Sequence, residues 1–314
     1  MEPTEVKKVR TGVLDRSQIH SCPEEYILCE LDLEHFVSRL NIGTGSKLSH
    51  DCGQSPVLLL IHGYPTASFD WIKLWPDLTL HFHCVTLDML GFGFSSKAPK
   101  KYQIKEQVAV ISAVMKHLAI QKAHVISHDY GDTAAQELLA QHNENTLSFH
   151  IESLHLLNGG LFPETHLALP IQKLLLSPVG GLLIRFLNKN ALRKSMLNIF
   201  GPNTPPSEQE IDDFWALIVE NNGHRYMHLV LDYMNQRKRY RERWVGALQN
   251  TTVPLRLTVG MADPISGAHM AARYTELIPK PDVVELENIG HYPQIENAEL
   301  VLGSIFEFIG INIV

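Results

Sequence analysis

Cysteine is scarce in this chain of 314 residues: Cys22, Cys29, Cys52 and Cys84 are all it has. None stands at CxxC spacing from another, and a chain this long can bury a core without cross-links. A disulfide framework is therefore not expected, and free thiols in a reducing compartment are. A run of about 18 apolar residues, the length that spans a bilayer, is also missing. The opening stretch MEPTEVKKVRTGVLDRSQIH is polar and holds no apolar signal core, so no secretory signal is expected there and the location expected is cytoplasmic. The sequon at Asn250 then reads as a chance match. Positive charge is not in excess either: 27 Lys and Arg face 34 Asp and Glu, net −7, which removes the electrostatic case for a nucleic-acid partner. No internal repeat or low-complexity tract interrupts the chain. With 45% hydrophobic and 19% charged residues it has the composition of an ordinary globular protein, not a disordered one.

What is present is an alternation of short apolar runs with longer amphipathic stretches. Residues 56–63, 84–88, 124–129, 153–158, 255–260 and 283–288 read as strands, apolar throughout as strands covered on both faces are. Residues 103–118, 133–142, 267–277 and 298–309 read as helices between them. This is the pattern of an α/β fold with a mostly parallel sheet. Residues up to about 49 suit an antiparallel hairpin at the sheet edge. Residues 162–250 break the rhythm with helical pattern and Pro-Gly punctuation (LSPVGG, GPNTPPSEQE), including a helix start at Ser207 with Glu210 three residues on. The expected organisation is a core of residues 1–161 and 251–314 with a helical cap, or lid, inserted at 162–250. An insertion between strands of an open sheet lies where such sheets bind ligands.

Four motifs in chain order carry chemistry. Ser127-His128-Asp129-Tyr130-Gly131 has the form small, any, nucleophile, any, small between a strand and a helix, the context of a nucleophile elbow. Asp129 stands where such elbows usually carry serine. His62-Gly63-Tyr64-Pro65 follows a strand, and the backbone N–H groups of Tyr64 and Tyr130 are candidates for an oxyanion hole. Asp263 lies just beyond the strand 255–260, and His291 falls between the last strand and the last helix. The order nucleophile, acid, histidine is that of α/β-hydrolases. LDMLGFGFSS has the glycines of a phosphate loop but no following Gly-Lys-Ser/Thr, so no nucleotide cofactor is expected.

A carboxylate needs no base to become a nucleophile, since its ordinary pKa is near ~4. It suits attack on a saturated carbon such as an epoxide carbon. The product is an ester on Asp129, which water activated by His291 would hydrolyse while Asp263 orients the imidazole. A halide leaving group wants N–H donors, and Tyr130 and Tyr64 stand where those would come from. An epoxide oxygen wants an O–H. Tyr226, Tyr233 and Tyr240 recur every seven residues, which suits one helix face; Tyr233 is the candidate proton donor. The substrate expected is small and apolar or lipid-derived. An esterase or lipid hydrolase, or a non-catalytic binding or signalling protein on the same scaffold, remain the alternatives. Two further clusters carry less. HFHC at residues 81–84 has metal-ligand residue types without a matching second pair, so no metal is expected. The basic run 236–243 reads as a solvated helix face, with peripheral contact to an anionic membrane as its alternative.

Taken together, HGYP, DMLGFGFSSKAP, SHDYGD, NGGLFPETH, NQRKRYRERWVGAL and GHYPQIE resemble the mesoderm-specific transcript family, a branch of the α/β-hydrolase superfamily close to epoxide hydrolases. The resemblance runs from about residue 57 to the end. It implies an α/β-hydrolase fold, with a mostly parallel eight-stranded sheet and a helical cap, and it places a triad at Asp129, Asp263 and His291. Related epoxide hydrolases usually have Trp and Gly where this chain has Tyr130 and Asp132. Members of the family typically begin with an apolar membrane-associated segment, which leaves association with the endoplasmic reticulum membrane open here.

Overall fold

Leu58, Leu59, Leu60 and Ile61 are all fully buried, yet alternate residues enter two different cores: Leu58 and Leu60 one, Leu59 and Ile61 the other. That is the period of a strand covered on both faces, and it explains why the run is apolar without alternation. The computed structural model describes residues 55–311 and the backbone of three earlier strands. Those strands are β1 (Arg10–Thr11), β2 (Ile27–Leu33) and β3 (Phe36–Gly43). The rest are β4 (Val57–Ile61), β5 (His83–Leu87), β6 (Lys122–His128), β7 (His150–Leu157), β8 (Leu255–Gly260) and β9 (Val283–Leu286). They form one sheet in the order β1-β2-β3-β5-β4-β6-β7-β8-β9. Pairing is antiparallel from β1 to β5 and parallel from β5 to β9.

The sheet therefore has nine strands where eight were expected. The surplus is the two-residue β1, too short to leave a hydrophobic period in the sequence. The expected edge hairpin is β2 and β3, with Ile27 opposite Ile42 and Leu33 opposite Phe36. The six later strands fall where the apolar runs placed them. Cys22 and Cys52 lie outside the described residues, and Cys84 is a buried free thiol.

Helices flank the sheet: α1 (Trp75–His81), α2 (Ile104–His117) and α3 (Tyr130–Asn143). Between β7 and β8 the chain turns through α4 (Pro170–Leu175), α5 (Gly180–Leu183), α6 (Lys189–Ile199), α7 (Glu208–Val219), α8 (Met227–Val230), α9 (Tyr233–Arg239) and α10 (Arg241–Asn250). Then come α11 (Ala268–Leu277), α12 (Pro293–Glu296) and α13 (Ala298–Ile309). Helix α7 starts at the expected cap: Ser207 accepts from the Glu210 N–H and Glu210 reaches back to the Ser207 N–H at 2.6 Å.

The basic stretch 236–243 is not one solvated face. Arg243 reaches down to Glu137 of α3 at 2.8 Å and to Glu144 at 2.5 Å, and the Trp244 indole donates to Glu137 at 2.6 Å. Arg241 pairs with Glu164 at 2.5 Å, and Arg237 is 2% exposed. Arg243 and Arg237 fasten the helical insertion to α3 and the residue after it, while the Arg241–Glu164 pair closes within the insertion. The three tyrosines of that region do not share a helix: Tyr226 precedes α8, Tyr233 opens α9 and Tyr240 lies between α9 and α10. The breaks between α8 and α9 and between α9 and α10 spoil the sevenfold register. Of the HFHC residues, His81 packs edge-on against Phe306 and His83 opens β5, so both lie by the amino end of that strand. Among the described residues no helix is long and apolar enough to cross a membrane.

Candidate active site

From β4 the chain moves outward to β5, then crosses back to β6 on the other side of β4. The crevice beyond the carboxyl ends of β4 and β6 is where connections diverge, and ligands bind in such crevices. HGYP leaves β4 there and Asp129 leaves β6 there.

Asp129 adopts φ 46°, ψ −102°, a left-handed backbone rarely occupied by a residue with a side chain. It follows the last residue of β6 directly and precedes the first residue of α3, so the chain reverses within one residue. Such a reversal forces helix and strand together. A Cβ on Gly131 would come 2.4 Å from the Ile61 carbonyl oxygen, so only glycine fits at that position. The carboxylate is thereby presented at the amino end of a helix of 14 residues, whose dipole favours a negative charge.

The groups expected to converge do so. The Tyr64 N–H donates to Asp129 Oδ2 at 3.1 Å. Tyr130 opens α3, so its N–H has no acceptor within the helix, while its ring is buried and its hydroxyl accepts from Gln107 at 3.1 Å. His291 turns Nε2 toward Asp129 Oδ2 at 3.9 Å and Nδ1 to Asp263 Oδ2 at 2.7 Å. Asp263 is a saturated acceptor. Its Oδ2 also takes hydrogen bonds from Asn158 Nδ2 at 2.9 Å, the Ser266 N–H at 3.1 Å and the Ser266 hydroxyl at 3.1 Å, and its Oδ1 takes the Ile265 N–H at 2.8 Å. Asn158, the residue after β7, therefore orients this carboxylate. Tyr233 is fully buried, its ring edge-on to Tyr130 with centroids 5.0 Å apart, and its hydroxyl has no hydrogen-bond partner among the described residues.

Three buried or half-buried groups beside Asp129 were not legible in the sequence. Arg237 lies one turn beyond Tyr233 on α9, so the two share a face, and its guanidinium stands 4.4 Å from the centre of the Tyr233 ring. It donates through Nη2 to the Asp129 carbonyl at 3.0 Å and through Nε to Thr133 at 2.7 Å, with Nη2 3.8 Å from Asp129 Oδ1. The i, i+4 spacing from Tyr233 was the signal that could have revealed it. His166 is the second, half-buried beside Arg237 with both ring nitrogens shielded from solvent. Asp132 is the third: it is fully buried and accepts the Ser127 hydroxyl at 2.5 Å.

Charge is distributed in a definite way. Burial opposes ionisation of Asp129, but the His291 imidazolium, then Arg237 and His128, hold its carboxyl well below the usual carboxylate range. Burial also opposes a charge on His291, yet Asp263 and Asp129 outweigh it and raise its pKa to about 10. Asp132 goes the other way: burial first, then the Asp129 charge, push its carboxyl well above the usual carboxylate range. At neutral pH the site holds two carboxylates, Asp129 and Asp263, against two cations, His291 and Arg237.

A raised histidine pKa is also a stability statement. The stabilisation from protonated His291 is complete below its unfolded pKa of 6.5 and fades as pH climbs through about 10. The melting temperature should therefore fall between pH 7 and 10, and more steeply for the wild type than for His291→Gln; equal slopes would refute this charge assignment.

The chain belongs to the α/β-hydrolase family, whose sequence profile matches residues 56–298. Over 269 residues it is 42% identical to the mesoderm-specific transcript homolog protein of Homo sapiens, a match covering 82% of this chain and 79% of that protein. This bears out the resemblance read from the motifs. Solved structures repeat the fold. The haloalkane dehalogenase DbeA of Bradyrhizobium elkani superposes with a TM-score of 0.73 at 20% identity, over 90% of this chain and 98% of that one. The epoxide hydrolase CorEH does so with 0.73 at 17% identity, over 91% and 99%.

Proposed function

We propose that this hydrolase works through Asp129 as a covalent nucleophile and opens an epoxide, or a comparable strained electrophile, on a small apolar or lipid-derived substrate. The observation that carries this reading is a carboxylate, not a hydroxyl, at the left-handed elbow, with one oxygen on the Tyr64 N–H and His291 Nε2 beyond it at 3.9 Å. The helical insertion 162–250 acts as the cap. It supplies Tyr233 and closes the crevice against water.

The steps balance as follows. An Asp129 oxygen attacks the epoxide carbon, the ring C–O bond breaks, and the ring oxygen takes the Tyr233 proton. Burial, then the Asp129 charge, keep that phenol well above its ordinary pKa, so it is protonated at every working pH. Esterification removes the charge from Asp129, one of the two carboxylates that raise His291. The imidazolium then gives its proton to the tyrosinate through solvent and becomes a base. Neutral His291 takes a proton from water attacking the Asp129 carbonyl carbon, and the N–H groups of Tyr64 and Tyr130 hold the oxyanion. Collapse expels the product alkoxide, which takes that proton back. The carboxyl proton then returns to His291 and restores the resting charges.

The test is a panel of epoxides, haloalkanes, lactones and p-nitrophenyl esters. A brief incubation of His291→Gln with an epoxide that the wild type turns over should leave the protein heavier by one substrate, on the peptide holding Asp129. An unmodified mass, with binding shown separately, would count against the covalent route. Ester hydrolysis that survives Asp129→Ala would assign the activity to another nucleophile.

A further inference from the structure

Arg237 uses two of its three nitrogens. Nε and Nη2 hold Thr133 and the Asp129 carbonyl, while Nη1 is buried with no hydrogen-bond partner among the described residues. An unpaired guanidinium N–H in a closed interior is costly unless something else satisfies it. Both ring nitrogens of His166 are likewise buried and without partners. Both groups pack against the same point of the backbone: a Cβ placed on Gly160 would lie 2.2 Å from Arg237 Nη1 and 2.6 Å from His166 Nδ1, so only glycine there lets the two side chains come side by side.

The same two residues line a cavity of about 350 Å³ between the start of the insertion and α9. Its other walls include Lys173 and Lys238, both with exposed side chains, and the apolar Leu167 and Leu176. Among the described residues no acidic side chain lines it. The cavity thus joins three fixed or rim cations to an apolar wall, and Arg237 connects it to the nucleophile through one planar group.

We propose that Arg237 Nη1 and His166, with Lys173 and Lys238 at the rim, bind an acidic group, carboxylate or phosphate, on an amphiphilic substrate. This rests on the reading of Asp129 as nucleophile for where the reacting carbon goes. A guanidinium accepts such groups through its N–H fork, and Nη1 is the tine left unused. The acid group would occupy the far side of Arg237 from Asp129, separated from it by the cation, so the two negative charges do not meet. His166, whose pKa burial and then the Arg237 charge push down to about 3, stays neutral and can donate one N–H to the same group. The acid group fixes the substrate by one end, leaving a carbon a few bonds away to meet Asp129.

Calorimetric titration with octanoate, octyl phosphate and octan-1-ol tests this. The wild type should bind at least one of the acids about tenfold more tightly than the alcohol, the scale of a charged hydrogen bond. The tighter of the two identifies the acid. Arg237→Met should lose that preference, and Lys173→Gln with Lys238→Gln, changes on exposed side chains, should reduce it severalfold. An alcohol bound as well as both acids overturns the proposal, as does a preference that Arg237→Met leaves unchanged. Should Arg237→Met fail to fold, an unchanged preference in the lysine pair overturns it instead. Asp129→Asn should keep the preference, since binding needs no nucleophile. Loss of the covalent adduct with the preference intact would therefore sink the catalytic reading alone, and the reverse result would sink this one alone.

Discussion

Asp129→Asn should lower turnover of an epoxide substrate by about 10⁴-fold or more, the scale seen when an enzyme loses the atom that bonds to its substrate. The substitution is nearly isosteric. Asparagine has the branching and size of aspartate, so it meets the φ 46° backbone with the same sterics, and its amide oxygen can still accept the Tyr64 N–H. What disappears is the negative charge that Arg237 and His291 face at 3.8 and 3.9 Å. His291 can answer by releasing its proton, since one of its two raising partners is gone, so the fold survives with a modest loss of melting temperature. Steady-state kinetics beside a melting curve check both halves. Retained activity in a folded variant would mean that the bond to substrate forms elsewhere.

Asp263→Asn should cost about 10³- to 10⁴-fold in turnover and also destabilise the protein, a double effect that the hydrogen-bond census dictates. Both oxygens of Asp263 receive donors: the Ile265 N–H on one, and Asn158, the Ser266 N–H, the Ser266 hydroxyl and His291 Nδ1 on the other. An asparagine has one acceptor oxygen, so its NH₂ must face at least one N–H, a penalty of about 1–3 kcal/mol in a buried site. Were the NH₂ to face His291, Nδ1 would have to give up its proton and Nε2 would carry it, the wrong tautomer for taking a proton from water. Hydrolysis of the ester should fail before its formation does. The variant should then accumulate alkyl-enzyme during turnover, as is expected of His291→Gln. A variant with wild-type kinetics would remove Asp263 from the mechanism.

The parallel strands were legible because burial on both faces leaves continuous apolar runs such as VLLLI, and the elbow was legible because its geometry needs small residues at fixed offsets. Gly131 against the Ile61 carbonyl is that requirement in physical form. The short β1 was not legible: two residues make no period. The insertion was legible as helical but not in its fine structure, since short helices broken by left-handed Asn221 and Asn222 shift each register in turn. Arg237 was the costliest misreading. Inside QRKRYRER it looks like its neighbours, and only the tertiary fold decides which arginine of such a run is buried over Asp129 and which pair with Glu137 and Glu164. Asp132 hid for the opposite reason: nothing local marks a carboxyl whose pKa burial raises.

Oxygen isotope placement tests the central claim most directly. If water attacks the Asp129 carbonyl carbon, repeated turnover of an epoxide in H₂¹⁸O must place ¹⁸O in the Asp129 carboxylate. Mass analysis of the peptide spanning residues 122–143 should show it, with no label when substrate is omitted. Product carrying all the label while that peptide stays light would mean that water attacks the substrate itself, and would contradict the account.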